Sequence, residues 1–166
     1  MKSAEHDEQV RRIALFFLFS LMDEKVALQA AHKTIAGLKA AGQAVSGSVT
    51  QDFTSTSGSS SATSAITIIA ALRKMHDQHR KLVPRNRPLM IPNSAWVLPA
   101  DVDPEAWIKF QKDSADTEIV AVVLSKILSY SDQDIAEGLN VSLGTARYRI
   151  GKGVRQLGMS KVRIEA

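Results

Sequence analysis

Near the C-terminus of this 166-residue chain, Ser142, Thr145, Arg147, Tyr148, Arg149, Lys152 and Arg155 fall within one short stretch. An arginine guanidinium donates two parallel hydrogen bonds to a guanine edge in the major groove, and arginine and lysine neutralise phosphates. Hydroxyls and a phenol add contacts to bases or backbone oxygens. No carboxylate interrupts the stretch, so the chemistry on offer is recognition of a polyanion rather than proton transfer. His76 and His79 have the spacing of neighbours on one helix face, but no third ligand is near them in sequence and their setting is basic. A solvated or phosphate-facing pair is expected there, and no metal site. Serine is abundant, yet the chain has neither a Gly-x-Ser-x-Gly elbow nor a phosphate-cradling glycine loop. No catalytic residue, cofactor or enzymatic activity is therefore expected. Cysteine is absent, which excludes disulfides and thiolate chemistry and suits a reducing cytoplasm.

Such a surface needs two helices to hold it. Ser131 can cap a helix whose first turn carries Asp132 and Asp134, and Ile135, Ala136 and Leu139 give it an inner face. Ala136 is small where two helices must approach closely. Asn140 tolerates the left-handed backbone that a sharp helix exit requires, Val141 can plug the turn from inside, and Ser142 can cap the next helix. The pattern is a helix-turn-helix with a turn of about three or four residues. On the second helix, Leu143, Ala146, Ile150, Val154 and Leu157 project to one side. Thr145, Tyr148, Lys152 and Arg155 fall opposite, with Arg147 and Arg149 on the flanks. The first helix is acidic (Asp132, Asp134, Glu137) and is not expected to lie along a phosphate backbone throughout.

At these residues the chain resembles the last conserved region of bacterial sigma factors, especially the extracytoplasmic-function group. Ile135-Ala136, Leu139-Asn140-Val141 and the run Gly144-Thr145-Ala146-Arg147-Tyr148-Arg149-Ile150 occupy the places of that region's motif. Gly151 and Gly153 replace helix-favouring residues, and Tyr148 is bulkier than the usual Ser. The resemblance implies that the second helix reads an upstream promoter element and that this lobe also touches core RNA polymerase. Further upstream, residues 21–38 are similar to the central helix of the N-terminal sigma lobe, and residues 66–81, with Asp77-Gln78-His79-Arg80-Lys81, to its last helix. That lobe binds core polymerase and opens the downstream element. Here a Ser/Thr tract replaces the aromatic-rich segment between those helices, leaving Phe53 as the aromatic available for base stacking.

The rest of the chain supplies the scaffold. Apolar residues make up 45% of it and aromatics only 5%, which favours helices packed through aliphatic side chains. Residues 8–41 read as two helices, the first ending near Leu21 and the second starting at Asp23-Glu24 and stopping near Gly42. The second places Val26, Ala30, Thr34 and Leu38 at helical spacing, with Leu28, Ala31 and Ile35 widening its apolar side. The apolar run of residues 13–22 is too short to span a bilayer, which takes about 20 residues, and its acidic flanks do not suit a signal peptide. It reads as a buried helix, and no membrane association is expected. A third helix, about 64–82, draws its core side from Ile66, Ile69, Ala70, Leu72 and Met75. Pro84, Pro88, Pro92 and Pro99 then demand an extended connector, anchored by Trp96 and Leu98. Asp103-Pro104-Glu105 starts a helix holding Trp107, Ile108 and Phe110, and residues 117–128 give an aliphatic one.

The net charge of +4 is divided unevenly. Arg73, Lys74, Arg80, Lys81, Arg85 and Arg87 form one basic block, and Arg147, Arg149, Lys152, Arg155, Lys161 and Arg163 another. An acidic stretch from Asp101 to Glu118 separates them, which suggests two surfaces for a polyanion or, as the plainer reading, solvated helix faces. The expected architecture is all-α. It has an N-terminal lobe (1–83) with a flexible Ser/Thr loop (46–64), an extended linker (84–102) and a C-terminal helix-turn-helix lobe (103–166). The expected partners are promoter DNA and core RNA polymerase, with an anti-sigma factor as a further candidate. Two alternatives stand beside the sigma-like reading: a helix-turn-helix transcriptional regulator, and a sigma-like interaction protein that binds polymerase or an anti-sigma partner without DNA.

Overall fold

The computed structural model describes residues 2–46, 60–84 and 103–164, with side chains for 7–41, 65–84 and 103–158. The expected linker (85–102 with Trp96 and Leu98), most of the Ser/Thr tract with Phe53, and the side chains of Lys161 and Arg163 lie outside the described residues. Among the described residues every regular element is helical: α1 (Lys2–Leu21), α2 (Glu24–Ser46), α3 (Ser60–Arg80), α4 (Pro104–Asp113), α5 (Asp116–Val122), α6 (Asp132–Gly138) and α7 (Leu143–Ile164). The protein is all-α, as its aliphatic composition implies. No helix among the described residues is long and apolar enough to cross a membrane.

Helix α1 is the centre of the core. Every side chain from Ile13 to Met22 is buried, including Ser20, as expected for a helix apolar on all sides. It ends at Met22, whose φ of 52° turns the chain out of the helix. Asp23 then caps α2, accepting from the Val26 amide at 3.0 Å. Alanines Ala27, Ala30 and Ala31 form the buried stripe of α2, whereas Leu28 stands 44% exposed. The larger side chain is outside because α2 packs closely on α1, and a close crossing favours small residues. Helix α2 continues through Gly42 to Ser46: a glycine costs a helix only about 1 kcal/mol, and the helix-favouring Ala40, Ala41 and Gln43 adjoin it. At the other end of the tract α3 begins at Ser60, so residues 60–64, expected as loop, are its first turn. Within α3, Ile68 is buried and Ala70 exposed, which moves the core side by one position from the expected one.

The segments expected as two lobes lie against each other through one continuous core. Helix α3 packs on α6, and α1 packs on α5 and the π-helical turn, Val123–Ile127, that follows α5. Polar contacts seal these seams. Trp107 Nε1 of α4 donates to the Phe19 carbonyl at 3.0 Å, and Gln111 Nε2 donates to the same oxygen, so the last turn of α1 is capped from α4. The Arg12 guanidinium donates to the Leu128 carbonyl and stacks 4.6 Å from the Tyr130 ring centre. Arg73 donates to the Leu139 carbonyl, and Arg80 pairs with Asp116 at 3.0 Å. Arg73 and Arg80 are thus engaged internally, and the first basic block is in part scaffold.

His76 and His79 correct an expectation: they are 1% and 3% exposed, not solvated. His79 Nδ1 lies 3.0 Å from the Met75 carbonyl oxygen, while His76 packs edge-on against Phe16, its Nδ1 3.6 Å from Asp77 Oδ1, a distance beyond a normal hydrogen bond. Burial lowers the pKa of His76 below its ordinary 6.5; Asp116 and Asp77 oppose that shift and Arg80 adds to it. The folded chain therefore takes up a proton on His76 less readily than the unfolded chain, which does so as pH falls through 6.5. Stability from this group is present above that value and lost below it. The thermal midpoint should fall between about pH 7.5 and 5.5, and His76→Phe should flatten that part of the profile. An equal fall in the variant would contradict this assignment.

Candidate nucleic-acid interface

The scaffold of the interface follows local rules. Ser131 Oγ accepts from the Asp134 amide at 3.1 Å and so fixes the start of α6. Leu139 closes that helix, and Asn140 takes the left-handed conformation at φ 53°. Its neighbour Val141 donates its amide to the Ala136 carbonyl at 2.9 Å and packs on the core. Ser142 Oγ then accepts from the Thr145 amide at 3.1 Å and shares a 2.8 Å hydrogen bond with the Thr145 hydroxyl. Ala136 and Ala146 are buried where α6 and α7 meet. The two serine caps, the left-handed Asn140, the inward Val141 and the small Ala136 agree with the sequence pattern; the hydroxyl pair of Ser142 and Thr145 leaves no such trace.

The orientation of α7 differs from the expected one. Its inner face comprises Leu143, Ala146, Ile150, Gly153 and Leu157, while Val154 is 36% exposed. Glycine takes the inner place because α7 crosses α5 and α4 too closely for a side chain: a Cβ on Gly153 would lie 2.4 Å from Val122 Cγ2 and 3.4 Å from Phe110 Cζ. The exposed face carries Gly144, Arg147, Tyr148, Val154, Arg155 and Gly158. Thr145, Arg149 and Lys152 are half-buried flank positions, and the Ser142 hydroxyl is engaged as a cap.

Two cations have internal partners that sequence reading missed. Lys152 Nζ lies 2.7 Å from Glu118 Oε1, a carboxylate whose side chain is only 7% exposed. This hydrogen bond and the charge of Glu118 raise the Lys152 pKa. Glu118 also accepts from the Ala115 amide at 3.3 Å, so Lys152 is a strut between α7 and the start of α5 rather than a free contact. Arg147 Nε lies 3.2 Å from Asp132 Oδ2, with both side chains open to water. The spacing of Glu118 and Lys152 in sequence carries no signal of their contact, which exists because Gly153 lets the two helices close. Tyr148, 62% exposed, stands beside Arg147 and Arg155 on a helix that has no carboxylate anywhere along its length.

No family model, curated protein or solved structure matches the chain. Among the described residues, no group of three or more His, Asp or Glu side chains is placed to hold a metal ion.

Proposed function

We propose that this chain is a sigma-factor-like transcription protein that binds promoter DNA through the exposed face of α7. One observation carries the reading. A capped helix-turn-helix, with its left-handed Asn140, presents a helix whose outward face bears Arg147, Tyr148 and Arg155 and no acid. A positively charged helix of this shape fits the major groove, where Arg147 meets a base edge and Arg155 a phosphate. Core RNA polymerase is the second partner that the sigma resemblance implies.

The shared core favours a narrower form of the same proposal. An initiator must engage two promoter elements, whereas here α1 and α3 bury surface against α5 and α6. In that form the chain is a helix-turn-helix regulator that docks on DNA as a single body. Duplex selection from a random pool, followed by titration over a range of salt, tests the DNA reading. Replacing Arg147 and Arg155 together by Ala should weaken binding and reduce the salt slope by roughly 1, since Arg155 meets a phosphate and Arg147 a base edge. Unchanged, salt-insensitive binding would sink the proposal. Addition of core polymerase to the selected duplex separates the two forms: transcripts support an initiator, and binding without transcripts supports a regulator.

A further inference from the structure

Asp132 opens α6, yet its carboxylate lies against α7. Arg147 Nε donates to Asp132 Oδ2 at 3.2 Å, and the two side chains are 63% and 42% exposed. The backbone that carries this carboxylate is fixed, because the Ser131 cap on the Asp134 amide holds the first turn of α6. One of the five guanidinium N–H donors is used, and those on the terminal nitrogens are left for a ligand. A surface pair of this kind contributes little to stability. Its consequence lies in recognition.

An arginine on an open helix face samples many rotamers, and ordering it on binding costs conformational entropy. The contact with Asp132 restricts that freedom before any ligand arrives. The carboxylate also places a negative charge beside the guanidinium. A phosphate approaching Arg147 meets that charge, whereas a guanine edge is neutral and accepts two hydrogen bonds. We infer that Asp132 is a positioning residue for base readout: it holds Arg147 for a neutral, two-acceptor base edge and opposes indiscriminate phosphate binding by the same side chain. The inference rests on the reading of α7 as a DNA-binding helix and assigns a role to a residue of the other helix.

The test compares wild type with Asp132→Ala, Asp132→Asn and Asp132→Glu on two probes at several salt concentrations. One probe is the duplex enriched by the wild-type chain from a random pool, and the other is a scrambled duplex of equal length. Asp132→Ala should bind the enriched duplex roughly five-fold more weakly and the scrambled one roughly three-fold more tightly, with a scrambled-duplex salt slope steeper by about 1. Asp132→Asn keeps an acceptor without the charge, so it should tighten scrambled binding similarly but lose less on the enriched duplex. Asp132→Glu should retain most of the discrimination. Renewed selection with Asp132→Ala should relax the same guanine position that Arg147→Ala relaxes. A parallel loss on both duplexes, or an unchanged ratio, overturns the inference while DNA binding stands. Failure of the wild type to bind any duplex overturns the DNA reading and this inference together.

Discussion

Trp107→Ala is expected to cost about 4 kcal/mol of folding stability, the range found for removing a large buried aromatic. The indole is 2% exposed. It meets Phe19 edge to face at 5.4 Å and Phe110 at 5.2 Å, and its Nε1–H caps the Phe19 carbonyl at 3.0 Å. Truncation opens a cavity where α4 joins α1 and removes one of the two donors on that carbonyl. Because a chain of this size holds a total of about 5–15 kcal/mol, the Ala variant loses roughly a quarter or more of it. Trp107→Phe keeps most of the ring, and Gln111 still donates to Phe19, so its loss should be about 1–2 kcal/mol. Urea unfolding followed by far-ultraviolet circular dichroism measures both variants. The continuous core further requires that the helical signal of both segments, α7 included, be lost in one transition. A variant that unfolds in two separated steps, or a loss under 1 kcal/mol for Ala, would show that α4 does not tie the two segments together.

What the sequence discloses about this fold divides along a physical line. Ser131, Asn140, Ser142 and the Asp103-Pro104 start act within a few residues of themselves, through caps and backbone conformation. Each is found where local chemistry puts it. The all-apolar run in α1 is equally legible, since no helix of that composition can face water. The contacts that were not legible join distant positions. Arg73 reaches Leu139 across 66 positions, Trp107 reaches Phe19 across 88, and neither pairing leaves a periodic trace. The phase of α7 failed for a related reason. Ranking by apolarity sends Val154 inward, but close helix crossing rewards the residue with no side chain, and Gly153 wins the place. The same shift moves Lys152 from the centre of the candidate DNA face to its edge, where Glu118 holds it. The burial of His76 and His79 is not legible from residue type, because it is set by neighbours from other helices. Phe16 and the surrounding core enclose His76 whatever its polarity.

Gly138→Ala is expected to lower stability by roughly 3 kcal/mol, although alanine is the better helix former. A Cβ at Gly138 would sit 2.4 Å from Ile69 Cγ2 and 2.5 Å from Ile69 Cβ. The second of these atoms is bonded to the backbone of α3, so no rotamer change relieves the clash and α3 must move away from α6. That movement also strains the Arg73 contact to Leu139, one residue along. Gly153→Ala should cost less, roughly 2 kcal/mol, because its severe contact at 2.4 Å is confined to the Val122 Cγ2 methyl. Gly151 supplies the opposite control. Nothing lies within 4 Å of a Cβ built there, so Gly151→Ala should gain up to about 1 kcal/mol from helix propensity alone. Thermal midpoints would then rank Gly151→Ala above wild type, then Gly153→Ala, then Gly138→Ala, with roughly 2–4 °C per kcal/mol. If all three substitutions stabilised, helix propensity would outweigh packing and the close crossings of α3 on α6 and of α7 on α5 would be wrong. The ranking also separates the two roles of glycine in the helix-turn-helix. At Gly138 and Gly153 its missing side chain sets the distance between helices and so the angle at which α7 is presented, whereas at Gly151 it only weakens the exposed helix.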